Sequence, residues 1–256
     1  VKTFKENEIK YLAGLLDADG SLSFKFCKST SGKTFLYLIL SISASVKIDV
    51  HNYMQTLADR AGSVIGIEYE KETYSDARCW RVQGRSDLDQ LVPRLLKHMV
   101  IKAKHWQTLY NYYTELKGID ITDRVEELKQ LSQESRNNTG PLKPKVHPTW
   151  AWVAGYLDGD GCYNFKKNAM HVGVIAHVKD VCALQFLYKA FGGSLYEPQK
   201  DNTQLWRHGV GPSQKSFALM FLRGVVKHSR LKKHKIEQMI AFHIQPQRLN
   251  ENNATA

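Results

Sequence analysis

The chain is poor in the features that would mark several large protein classes. None of its four cysteines (Cys27, Cys79, Cys162, Cys182) forms a CxxC pair, so neither a zinc site nor a disulfide framework is expected. So few thiols suit a reducing, intracellular compartment, organellar or bacterial. No apolar run reaches the ~18 residues that a membrane helix needs. The longest, 35–46, is broken by serines. No secretory signal is visible, and the start at Val1 carries the expectation that an initiator methionine or a leader precedes it. Acidic residues are in deficit, 25 Asp and Glu against 36 Lys and Arg, which leaves a formal charge of +11. That imbalance points to a polyanionic partner, of which nucleic acid is the commonest. An apolar content of 43% supports a packed core and excludes global disorder.

The chain also contains an internal duplication. Tyr11–Lys25 (YLAGLLDADGSLSFK) aligns without a gap on Trp152–Lys166 (WVAGYLDGDGCYNFK), with eight of fifteen positions identical at an offset of 141 residues. That period is far too long for a solenoid and reads as a duplicated domain. Weaker agreement follows: Ala61-Gly62-Ser63 with Gly192-Gly193-Ser194, and Trp80-Arg81 with Trp206-Arg207. Lysine-rich helix starts follow at 101–104 and 232–235.

Periodicity gives each half the same element order. The first half predicts a helix at 8–18, strands at 21–28 and 35–46, a helix at 49–61, strands at 64–71 and 78–84, and helices at 87–98 and 102–117. The second predicts a helix at 148–159, strands at 162–168 and 171–178, a helix at 180–191, strands at 194–199 and 204–210, and helices at 213–223 and 230–243. The expected division is therefore 1–118, a linker at 119–147, and 148–256. The linker combines a charged helix near 121–135 with a turn-rich run, Arg136 to Pro144.

The repeated segments LAGLLDADG (12–20) and VAGYLDGDG (153–161) carry the chemistry. Ala13-Gly14 and Ala154-Gly155 leave one helix face almost bare, so two such helices can pack backbone to backbone. Gly20 and Gly161 suit a helix exit at positive φ. Packing the helices would gather four carboxylates, Asp17, Asp19, Asp158 and Asp160, at helix C-termini, where negative charge is unfavourable unless cations neutralise it. Carboxylate and carbonyl oxygens favour hard divalent ions such as Mg²⁺, which can polarise phosphates and activate water. Asp17 and Asp158 read better as capping or packing residues. A calcium EF-hand is excluded, because placing Gly20 sixth puts Leu15 first and Phe26 last, and the second copy fails likewise with Tyr156 and Lys167. The Asp-Thr/Ser-Gly tripeptide of aspartic proteases is absent from both sites.

These paired nonapeptides resemble the LAGLIDADG motif of homing endonucleases in the single-chain, two-motif form, and the resemblance spans nearly the whole chain. It implies an α+β fold of two pseudo-symmetric αββαββα subdomains packed through the motif helices, each with a saddle-shaped antiparallel sheet for DNA. It implies a monomer, with no membrane association. Its partner would be double-stranded DNA with a long, pseudo-symmetric site, cut once per strand across the minor groove to leave 3′ overhangs. The implied cofactor is Mg²⁺, with Mn²⁺ as a substitute and Ca²⁺ binding without supporting cleavage. The implied metal ligands are Asp19 with the Ala18 carbonyl and Asp160 with the Gly159 carbonyl. The implied lysines are Lys102 and Lys233, with Lys104 and Lys235 as neighbours in contention. Many family members carry a Gln at the end of the second strand; here the aligned residues are Val46 and either Ala176 or His177. The alternative from another class is an intron maturase-like RNA-binding protein on the same scaffold. A third reading is a DNA-binding regulator that no longer cuts.

Strand alternation sorts the groove-facing side chains. In the first half these are Ser23, Lys25, Cys27, Tyr37, Ser41, Ser43, Arg81 and Gln83. In the second they are Asn164, Lys166, Asn168, His171, His177 and Arg207. Arg and Asn suit bidentate pairing with guanine and adenine.

Overall fold

A computed structural model describes residues 4–45, 48–67, 77–142, 149–166, 169–209 and 215–242 of the chain. The first half runs α1 (Glu6–Asp19), β1 (Gly20–Lys28), β2 (Thr34–Ser45), α2 (Ile48–Ala58), β3 (Ser63–Ile67), β4 (Ala77–Val82), α3 (Arg85–Leu96) and α4 (Ala103–Glu115). After α5 (Val125–Ser135) the order repeats. The second half comprises α6 (Trp150–Asp160), β5 (Gly161–Lys166), β6 (Ala169–His177), α7 (Val181–Phe191), β7 (Ser194–Leu195), β8 (Thr203–His208), α8 (Lys215–Val226) and a last helix, α9, over 233–242. The two antiparallel sheets have one topology, β1-β2-β4-β3 and β5-β6-β8-β7. The expected α+β architecture of two αββαββα units is therefore the one observed. The seventh strand is shorter than expected, two residues rather than 194–199.

The halves meet through α1 and α6, whose residues Leu12–Asp17 and Val153–Asp158 are buried. Glycine makes this approach possible. A Cβ on Gly14 would land on the Trp152 carbonyl oxygen, and one on Gly155 would land on the Tyr11 carbonyl oxygen. The two glycines are thus reciprocal, each against the backbone of the other helix. The helix exits differ from expectation. Gly20 (φ −78°) and Gly161 (φ −71°) are extended rather than left-handed. Glycine is required there because the chain passes straight from helix to strand: a Cβ on Gly20 would sit 2.6 Å from the Leu16 backbone, and one on Gly161 would meet the Leu157 carbonyl.

Each sheet buries one face under the helices. Leu22, Leu38, Leu40, Ile42, Trp80 and Val82 do so in the first half, and Tyr163, Val172, Val174 and Trp206 in the second. The weaker repeats now have a cause. Trp80 donates its indole N–H to the Ala61 carbonyl (2.8 Å), as Trp206 does to that of Gly192 (2.9 Å). The next residues, Gly62 (φ 73°) and Gly193 (φ 91°), are left-handed and lie against the carbonyls of Arg81 and Arg207. The segment expected to be a linker begins as folded structure. Ile121 and Leu128 form a small second core with Leu36 and Leu116 under the first sheet.

Candidate active site at the crossing of the motif helices

The two acids of each motif separate completely. Asp17 is buried and accepts from the amides of Val100 (2.7 Å), Ile101 (3.2 Å) and Lys102 (2.9 Å), and from the Trp152 indole (3.0 Å). Asp158 likewise accepts from the amides of Arg230 (2.7 Å), Leu231 (2.9 Å) and Lys232 (3.3 Å), from Ser229 Oγ (2.7 Å) and from the Tyr11 hydroxyl (2.7 Å). An acid at its own helix's C-terminus is electrostatically poor, but each carboxylate sits at the N-terminus of another helix, α4 or α9, where the partial charge is positive. Tyr11 and Trp152 are equivalent positions, so each motif's first acid is also tied to the opposite motif helix.

That leaves Asp19 and Asp160 facing outward at the crossing. Burial pushes the Asp19 carboxyl up, and the ammoniums of Lys102 and Lys232 pull it back. Asp160 rises to about 6, through burial first and then the negative charge of Asp19. The Asp19 carboxylate lies against the other motif, since a Cβ on Gly159 would come 2.9 Å from its Oδ2. The nearer clash is with the Ala18 Cβ, which accounts for glycine at 159 where the first motif has alanine. The expected gathering of four carboxylates is thus corrected to two, because Asp17 and Asp158 turn away to cap helices. Among the described residues no group of three or more His, Cys, Asp or Glu is arranged to hold a metal ion.

The lysines complete each motif end. Lys102 Nζ donates to the carbonyls of Leu16 (3.2 Å), Ala18 (2.7 Å) and Gly20 (2.9 Å). Lys232 Nζ donates to those of Leu157 (3.0 Å), Gly159 (2.7 Å) and Gly161 (2.7 Å). Burial depresses both ammoniums, and the surrounding aspartates partly restore them. The second-half expectation of Lys233 is therefore corrected to Lys232. Lys233 is exposed and lies 3.9 Å from Glu237. The run Lys232-Lys233-His234-Lys235 hides the register, which the Asp158 cap fixes by placing Lys232 as Asp17 places Lys102. Lys104 and Lys235 are both exposed.

The donor set suits a hard cation. The Asp19 and Asp160 carboxylates lie close enough to repel, and with the carbonyls of Ala18 and Gly159, now held by ammonium groups, they are oxygen donors of the kind a hard cation takes. Val46 lies outside the described residues; Ile42 pairs with Trp80 as Val174 does with Trp206, so Ala176 and His177 correspond to Ala44 and Ser45 of the first half. Ala176 is buried.

The side chains expected to face DNA alternate along the strands by register. Ser23, Lys25, Cys27, Tyr37, Ser41, Ser43 and Arg81 share one side of the first sheet by register, and Gln83 follows β4 exposed. Asn164, His171, His177 and Arg207 share the corresponding side of the second. Lys166 occupies the register position opposite Ala169, and Asn168 lies outside the described residues. Arg81 and Arg207 are equivalent, each flanked by small neighbours, Ser41 and Ser63 in one sheet and Gly173 and Ser194 in the other. The Nε of each is buried without a hydrogen-bond partner.

This duplicated architecture, with helices crossing on glycine, is the fold of solved structures described as LAGLIDADG meganucleases. It is similar to the crystal structure of the LAGLIDADG meganuclease I-AabMI bound to uncleaved DNA, at 14% identity and a TM-score of 0.69, covering 93% of this chain and 91% of that one. It is similar to I-SmaMI bound to uncleaved DNA target in the presence of calcium ions, at 12% identity and a TM-score of 0.65, covering 97% and 93%. It also resembles the I-SmaMI LAGLIDADG homing endonuclease bound to cleaved DNA, at 15% identity and 0.64, covering 97% and 91%. No protein-family model matches the sequence, and no curated protein matches it. No helix among the described residues is long and apolar enough to cross a membrane.

Proposed function

We propose that the chain is a site-specific, divalent-metal-dependent DNA endonuclease that acts as a monomer and hydrolyses one phosphodiester in each strand. The observation that carries this reading is the duplicated site. Two motif ends, each with an outward acid and a lysine holding three carbonyls, meet at one crossing. Two such centres about a pseudo-twofold axis fit the near-twofold symmetry of a duplex, with a staggered cut across the minor groove leaving 3′ overhangs. The solved structures of similar fold, described as bound to uncleaved and to cleaved DNA, support the same substrate.

Asp19 and Asp160 would hold Mg²⁺, or Mn²⁺ in its place, with the carbonyls of Ala18 and Gly159. When bound, the cation polarises a phosphate and lowers the pKa of a coordinated water. The protein's own groups do the rest. Lys102 and Lys232 fix the motif carbonyls and set positive charge beside the acids, while Asp17 and Asp158 hold the backbone that carries those lysines. The sheets bind the grooves, with Arg81 and Arg207 reaching bases between small neighbours and the exposed lysines meeting phosphates. The charge of +11 suits this partner. Nothing in the fold or the site favours a maturase-like role.

The test is selection of duplexes from a randomised library in Ca²⁺, cloning of the selected site into a plasmid, and incubation with Mg²⁺. The expected result is linear plasmid with 3′ overhangs from the wild type. Asp19→Asn should keep binding and lose double-strand cutting. Tight binding with no linearisation under Mg²⁺ or Mn²⁺ would overturn the reading.

A further inference from the structure

Among the described residues the two motif ends have different surroundings, because the chain links its halves only once. After α5 the backbone returns across the start of α4. The Gly140 amide donates to the Ile101 carbonyl (2.5 Å), and the Lys104 amide donates to the Gly140 carbonyl (3.2 Å). Ser135 Oγ lies 2.8 Å from His105 Nδ1, which fixes the end of α5 against the same helix. This fastening borders a cleft of about 250 Å³ lined by Gly20, Ser21, Lys102, Arg136, Thr139 and Asp180, among others. Lys102 spends its three ammonium protons on carbonyls. Arg136 is exposed and has no hydrogen-bonded or ion-paired side-chain partner among the described residues. No described segment lies across the start of α9 in the second half as 136–140 lies across α4.

We propose that Arg136 is a phosphate-contacting residue of the first pocket alone, so that cleavage of one DNA strand depends on it and cleavage of the other does not. The inference rests on the endonuclease reading above. A guanidinium is always charged and presents a planar fork that matches two phosphate oxygens. Here its backbone is pinned on both sides, by the Ser135–His105 contact before it and by the Gly140 hydrogen bonds after it. Little ordering remains to be done when a phosphate enters the cleft. Arg136 supplies the free N–H donors for phosphate that Lys102, whose three are committed to the motif carbonyls, does not.

The experiment uses supercoiled plasmid carrying a site selected in Ca²⁺, with the two strands labelled differently and cleaved in Mg²⁺. Wild type, R136A, R136K, K102M and K232M are compared. The two lysine variants identify which pocket serves which strand. R136A is expected to slow by roughly tenfold or more the strand that K102M slows, to leave the other strand within about twofold, and so to accumulate nicked circles. Binding in Ca²⁺ should stay close to wild type, and R136K should restore part of the lost rate. Equal slowing of both strands, no slowing, or slowing of the strand that K232M affects would each overturn the proposal. Absence of cutting by the wild type would instead remove the endonuclease reading and this proposal with it.

Discussion

Two aspartates two residues apart in one motif should respond in opposite ways to the same substitution. Asp17→Ala removes a buried acceptor and leaves three amides and an indole N–H facing a small void. A buried donor left unsatisfied costs roughly 1–3 kcal/mol, and the four losses will not add fully because water can enter. A net cost of about 4 kcal/mol follows, in the range seen when one partner of a buried charged network is deleted. For a chain of this size that is a fall of about 8–16 °C in Tm. Burial disfavours the charged form of both acids, but Asp19→Ala removes a carboxylate that accepts no described hydrogen bond. Its Tm should stay within about 2 °C of wild type, or rise. The assay is thermal unfolding of both variants without metal. A Tm for Asp17→Ala near wild type, or an equally large loss for Asp19→Ala, would refute the division of labour between the acids.

Gly155→Ala should lower the urea midpoint. Helix propensity favours Ala by about 1 kcal/mol, but the new Cβ lands on the Tyr11 carbonyl oxygen, so a net loss of about 2 kcal/mol is expected; an unchanged or higher midpoint would mean the helices do not cross this closely. Because the Asp160 pKa is raised to about 6 in the fold, the folded state holds the proton longer than the unfolded chain. Asp160 therefore weakens the metal-free protein as pH rises from its unfolded pKa, about 4, to about 6, and the loss is complete above that. Asp160→Asn should raise the metal-free Tm at pH 7.5, by about half as much at pH 5 and hardly at all near pH 3.5, and Ca²⁺ should stabilise wild type less below pH 6; a pH-independent difference would contradict this. DNA affinity should fall steeply with salt, with a log–log slope near −7 if ~8 phosphates are neutralised, and a flat response in titrations would count against groove binding. Arg81→Ala should erase base preference at one position of one half-site in the selected duplexes and leave the other half-site intact; unchanged preference would remove Arg81 from the reading face.

The motif helices, the element order and the two-sided alternation of the strands were legible because they are written in local periodicity and a gapless repeat. Gly14 and Gly155 announced the close crossing directly. Other features depend on tertiary register. Lys232 could not be told from Lys233 in a run of basic residues until the Asp158 cap aligned it with Lys102. The expected positive φ at Gly20 failed because glycine there answers crowding from Leu16 and not a left-handed turn. The crossed bonds from Tyr11 to Asp158 and from Trp152 to Asp17 join residues 147 and 135 positions apart, which no local pattern reports. Arg136 read as part of a linker because its composition is turn-like. Its place beside the first pocket comes from Ile121 and Leu128 folding α5 onto the sheet and from the Gly140 bonds that return the chain across α4.

The central claim is that Asp19 and Asp160 gather a divalent cation where the motif helices end. Anomalous diffraction from crystals of the chain with its selected DNA and Mn²⁺ tests it most directly. The account predicts cation peaks ~2–2.6 Å from carboxylate oxygens of Asp19 and Asp160, with Asp17 and Asp158 still bound to the amides before α4 and α9. Cation peaks on other acids, or none between the motif ends with DNA bound, would contradict it.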